Sequence, residues 1–112
     1  MGRIRWIKEA RDVEELCRAD LAILYKHSPT CGVCLAALQE VEAFMREHPD
    51  ADVSAVDVLE QRDLSRDLAA RSGIRHESPQ ILIIRSGITL WNESHYGITA
   101  EALAQQFTSA QQ

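Results

Sequence analysis

The chain has 112 residues, 46% of them hydrophobic and 26% charged, with a net charge of −5. That is enough for one domain with a modest core, spanning 1–112, and not for two. The acidic balance, with no basic cluster, excludes general nucleic-acid binding. No apolar run approaches the length of a membrane span, and Lys8 interrupts the N-terminal stretch too early for a signal-peptide core. A cytoplasmic protein, monomeric by default at this size, is the simplest expectation. Cysteine usage agrees: Cys17, Cys31 and Cys34 are odd in number and two of them lie three apart, which is no secreted disulfide scaffold.

In chain order, the stretch from Arg3 to Glu9 holds Ile4, Trp6 and Ile7 and predicts a short first strand or extended arm. Ala10 to Ala19 places Val13, Leu16 and Cys17 on one face, predicting a helix that starts near Asp12. Leu21 to Lys26 reads as a buried strand, and His27-Ser28-Pro29-Thr30 as a polar turn. Cys31 and Cys34 then open a helix carrying Cys34, Leu38, Val41 and Phe44 or Met45 at steps of three and four, stopped at His48-Pro49. Val53 to Val58 is the next strand, parallel to Leu21–Lys26 across a right-handed crossover. Leu64 to Ser72 follows as a helix with Leu64, Leu68 and Ala69 inward, ended by Gly73. Beyond Glu77-Ser78-Pro79, Gln80–Arg85 and Ile88–Trp91 form an antiparallel pair about Ser86-Gly87, and Thr99 caps a last helix, Ala100 to Phe107. The order is βαβαβαββα.

Strand, turn and C-x-x-C on the first turn of a helix is the layout of a dithiol redox site. The first N–H groups of a helix lack intrahelical partners, and the aligned peptide dipoles leave positive charge there. A sulfur at that point is favoured as thiolate, the species that attacks a disulfide. Cys31 is thus the attacking thiol. Cys34, on the same side of the helix but deeper, is the resolving one. The bland alternative is half of a zinc site, but structural zinc needs four ligands and a second pair with suitable spacing is absent from the sequence. Cys17 reads as a small core residue. Lys26 and His27, just before the turn, are placed to lend positive charge to the Cys31 thiolate, or to be an ordinary strand end. His76 either lines a substrate groove or is a solvated loop histidine. His95 reads as a hydrogen-bonded structural residue.

The element order, with C-x-x-C heading the second helix and Pro79 leading the fourth strand, resembles the thioredoxin fold. It implies an α/β, three-layer domain, a central mixed sheet with helices on both faces. It also implies a cis Pro79 that, with Ser78, faces the dithiol and pairs with substrate. More closely, Lys26-His27-Ser28, Thr30-Cys31, His76-Glu77-Ser78-Pro79-Gln80 and Ser94-His95 resemble the bacilliredoxin (YtxJ-type) family. That resemblance implies removal of bacillithiol or a similar small thiol from protein cysteines, with Thr30, His76, Ser78 and Pro79 as substrate-contacting residues. The family commonly has serine where this chain has Cys34, and proline where it has Gly32. The buried acid that assists the resolving cysteine in thioredoxins falls here at Tyr25. No bound cofactor is implied, since an external thiol or a thioredoxin-reductase-type enzyme supplies electrons. A general protein-disulfide reductase, or a non-enzymatic thioredoxin-like module using the dithiol as redox sensor or metal clip, are the competing readings.

Overall fold

The computed structural model describes residues 4–112, so Arg3 of the expected first strand lies outside the described residues. The elements are β1 (Ile4–Trp6), α1 (Ala10–Arg18), β2 (Ala22–His27), α2 (Gly32–Glu47), β3 (Val53–Asp57), α3 (Arg62–Ser72), β4 (Gln80–Arg85), β5 (Ile88–Ser94), a 3₁₀ turn (His95–Gly97) and α4 (Ala100–Ala110). The sheet order is β1-β3-β2-β4-β5. β1 and β2 both run parallel to β3, and β4 runs antiparallel to β2 and β5. β2 is central and covered on both faces, which is why its sequence is a continuous buried run rather than an alternating one.

Alternation along the strands splits the interior in two. Ile23, Tyr25, Val53, Ala55, Ile81 and Ile83 meet Val41 and Phe44 of α2 and Leu103 of α4. Leu24, Val56, Leu82 and Ile84 face the other way, against Val13 and Leu16 of α1 and Leu68 of α3. β1 to β2 and β2 to β3 step in opposite directions across the sheet, so right-handed crossovers put α1 and α2 on opposite faces, and α3 packs on the α1 side.

Several boundaries differ from expectation. α1 begins at Ala10, not near Asp12, because the Asp12 carboxylate accepts the N–H groups of Lys8 and Glu9 at 3.1 and 3.0 Å as the third residue of a capping box. Those bonds hold the Asp12 carboxyl below its usual range. β5 runs to Ser94 rather than Trp91, since Ser94 still pairs with Gln80. α3 starts two residues early, and it buries Ser65 and Leu68 more fully than Leu64 or Ala69. α4 continues to Ala110, whose carbonyl accepts from Arg85. Thr99 caps that helix as expected, its Oγ1 accepting from Ala102 N at 3.1 Å.

Gly73 ends α3 in the left-handed region at φ 71°, where a Cβ would meet no atom but would strain the backbone. Gly73→Ala should therefore cost about 1 kcal/mol, seen as a lower urea midpoint at unchanged slope. An unchanged midpoint would mean that this cap contributes nothing.

Candidate active site

Cys31 is the N-cap of α2, in extended conformation (φ −114°, ψ 124°), and Gly32 is the first helical residue. Its carbonyl accepts from Leu35 N at 3.2 Å, which starts the helix ladder. Its sulfur makes no capping hydrogen bond, yet the first-turn N–H groups act on it electrostatically. The N–H of Cys34 is the largest cause lowering the Cys31 pKa, joined by the Cys34 thiol and the N–H of Val33, against a modest opposing effect of burial. Cys31 is half-buried, and with His27, Pro29, Thr30, Gly32 and Leu35 it lines a shallow pocket of about 230 Å³.

Cys34 has the opposite environment. It is wholly buried, and burial pushes its thiol pKa up, while a 3.5 Å contact with Ser78 Oγ works the other way. One helical turn thus carries an accessible, anion-favouring sulfur and an enclosed, proton-holding one.

Ser78 and Pro79 come from the loop before β4, and their peptide bond is cis. Pro79 is buried. The loop is held from the 3₁₀ turn after β5: His95 N donates to Pro79 O at 3.0 Å, and His95 Nε2 lies 3.3 Å from Glu77 Oε2. That contact gives His95 the structural role read from the sequence. Thr30 is exposed beside Cys31, its hydroxyl 3.3 Å from that of Ser28.

Beneath the dithiol stands Tyr25, wholly buried, with its O–H donating to Cys34 O at 3.0 Å and its oxygen 2.9 Å from His27 Nδ1. Burial, then the negative charge of Cys34 and Cys31 as thiolates, holds the Tyr25 phenol well above its usual pKa. It is a neutral anchor for the first turn of α2, not an acid or base. Burial also lowers the His27 pKa, with Asp57 opposing. Neutral His27 stacks edge-on with Trp6 at 5.9 Å and separates the Cys31 pocket from a larger one of about 360 Å³ bordered by Trp6, Lys8 and Gln61.

Lys26 and His27 were expected together beside the thiolate, and the strand separates them. Next to Leu24 and Tyr25 in alternation, Lys26 points to the α1/α3 face, in register with Val56 and Gln80. It is completely buried, and its ammonium meets His76 Nδ1 at 3.5 Å, while Ser65 Oγ lies 3.4 Å from the same nitrogen. No carboxylate among the described residues pairs with it, and burial pushes its pKa down to about 8. Gln80, also buried, donates to Arg75 O at 3.0 Å and leaves its Oε1 without a partner. Sequence reasoning missed Ser65 altogether, since one serine among α3's charges carries no signal. Among the described residues no group of three or more His, Cys, Asp or Glu side chains is placed to hold a metal ion.

A family model described as monothiol bacilliredoxin BrxC matches residues 3–103. A "disulfide bond formation protein" of Brevibacillus choshinensis is 32% identical over 88 residues, which are 79% of this chain and 70% of that one. A solved structure described, provisionally, as an oxidoreductase with a thioredoxin fold superposes with a TM-score of 0.85 at 28% identity, covering 97% of this chain and 94% of its own. The thioredoxin of Trypanosoma brucei brucei gives a TM-score of 0.75 at 18% identity over 96% of this chain and 89% of its own, a likeness of fold alone.

The buried ammonium has a measurable signature. Below pH 8 Lys26 is charged in both folded and unfolded chains and the folded state carries the full desolvation penalty; between 8 and 10.5 the folded chain sheds this proton first, so the penalty fades as pH rises. Lys26→Met should accordingly be more stable than wild type at pH 7, by about 1–3 kcal/mol, with the gap closing toward pH 10.5. A gap independent of pH would show that burial does not shift Lys26 at all, its ammonium titrating alike in the folded and unfolded chains.

Proposed function

The chain belongs to the BrxC bacilliredoxin family, and on that footing we propose that it reduces protein cysteines capped by a low-molecular-weight thiol, bacillithiol or one similar. The protein is a thiol–disulfide oxidoreductase. In the proposed reaction Cys31 is the nucleophile, Cys34 the resolving thiol, and Thr30, Ser78 and Pro79 border the bound substrate. The observation that carries this assignment is the asymmetry of the two sulfurs, one half-exposed and lowered by the helix N–H groups, the other buried and raised.

The Cys31 thiolate attacks one sulfur of the substrate disulfide. A bond forms from Cys31 Sγ to that sulfur, the substrate S–S bond breaks, and the departing thiolate takes a proton from water. Cys34 then loses its proton, its Oγ partner on Ser78 steadying the nascent thiolate, and attacks Cys31 Sγ. This releases the second thiol and leaves a Cys31–Cys34 disulfide, so two electrons have passed from the dithiol to the substrate. An external thiol or a thioredoxin-reductase-type enzyme returns them, in the reducing cytoplasm where such caps need removal. The resolving step distinguishes this chain from its family's monothiol description: Cys34 makes release possible without a second small thiol.

A second reading runs the same exchange in reverse. Stabilising the Cys31 thiolate stabilises the reduced dithiol, which makes the disulfide form more oxidising, and the Brevibacillus relative is named for disulfide bond formation.

Cys31→Ser should abolish reduction of a capped peptide, at least about 10³-fold in kcat/KM. Cys34→Ser should accumulate a mixed disulfide at Cys31, visible by intact mass, and turn over only with added thiol. Full activity in Cys31→Ser would refute the assignment. Transfer of the disulfide to reduced substrates faster than reduction of oxidised ones, at a cytosolic thiol poise, would favour the reverse direction.

A further inference from the structure

On the α3 side of the sheet, Val58, Arg62, Ser65, Arg66, Ala69 and His76 enclose a pocket of about 250 Å³. Its polar side chains are those of Arg62, Arg66, His76 and Ser65. Arg62 and Arg66 stand four apart on one face of α3, and neither forms an ion pair among the described residues, in a chain with 17 acidic and 12 basic side chains. Two like charges on adjacent turns repel each other unless an anion lies between them. Behind them His76 accepts at Nδ1 from the buried Lys26 ammonium. Burial, then the Lys26 charge, hold the His76 pKa down against the opposing Glu77 carboxylate, and with Nδ1 accepting from Lys26 the neutral ring carries its proton on Nε2. The pocket therefore offers two guanidinium forks and a ring N–H over a fully buried cation that lacks a carboxylate.

One loop links this pocket to the dithiol. His76 lies two residues before Ser78, whose hydroxyl touches Cys34, and two residues of chain span at most about 7 Å. On the other side, Lys26 is followed at once by His27, which lines the Cys31 pocket.

Resting on the capped-cysteine reading above, we propose that the Arg62–Arg66–His76 pocket binds a carboxylate of the small thiol that caps the substrate. Anchored there, the small thiol presents its own sulfur to Cys31. The Cys31–S bond forms to the small thiol, the cap-to-protein S–S bond breaks, and the protein cysteine leaves as a thiolate that takes a proton from water. Cys34 then releases the small thiol as already described. The pocket thereby decides which half of the disulfide is attacked, and it selects anionic caps over neutral ones.

The test uses one peptide cysteine capped either with glutathione, which carries two carboxylates, or with glutathione diethyl ester, which has the same skeleton and none. Wild type should prefer the glutathione cap in kcat/KM. In Arg62→Ala/Arg66→Ala the ratio of the two caps should fall about tenfold, whereas Arg11→Ala/Arg18→Ala, which removes the same charge from α1, should leave the ratio near wild type. In the Cys34→Ser background the trapped adduct should carry the mass of glutathione. A cap ratio unchanged in the α3 double variant, or lowered equally by the α1 double variant, would overturn the subsite while leaving the oxidoreductase reading intact. An adduct carrying the peptide would overturn the direction of attack. Failure of wild type to reduce either peptide would remove the oxidoreductase reading and this subsite with it.

Discussion

The chemistry of this protein depends on one placement: a cysteine at the start of a helix, where the first N–H groups lack partners. The peptide dipoles add positive charge there. Cys31 occupies that place as N-cap, and the N–H groups of Cys34 and Val33 lower its pKa. Three residues on, Cys34 shares the helix but has turned into the core, where burial raises its pKa. The helical pitch alone therefore gives two chemically identical side chains opposite environments.

The rest of the fold keeps that helix start in place. β2 delivers the chain to the turn, and β4 begins at the loop that faces it. Tyr25, at the position where thioredoxins have a buried acid, ties Cys34 O to the sheet from below. A phenol so far from water keeps its proton, which leaves the Ser78 hydroxyl as the side-chain group touching the Cys34 thiol. Across the sheet the same alternation sends Lys26 to the opposite layer, where its buried charge costs stability without touching the dithiol. Its contact is His76, which shares a pocket wall with Arg62 and Arg66.

The fold was largely legible because its signals are periodic: a continuous apolar run for β2, three- and four-residue steps for α2, and proline or glycine after α2 and α3. The active pair was legible because C-x-x-C after a strand and turn has few other uses. Three features were not. Asp12 looks the same in the sequence as a first-turn residue or a cap, and only its bonds to Lys8 N and Glu9 N show that the helix begins before it. Lys26 and His27 are neighbours in sequence and were assigned together, yet a strand sends consecutive side chains to opposite faces. Lysine at a strand end ordinarily reaches solvent, so no pattern marks this one as buried. Ser65, Arg62 and Arg66 become a pocket wall only once α3 packs beside the His76 loop.

The most direct measurement of the central claim is the pH dependence of alkylation at Cys31 in the otherwise wild-type protein, followed residue by residue by mass spectrometry. Cys31 should react first, with a rate that inflects well below the 8.5 of a free cysteine, while Cys34 stays unmodified until higher pH. An inflection at or above that value, or modification of Cys34 ahead of Cys31, would contradict the assignment of nucleophile and resolving thiol.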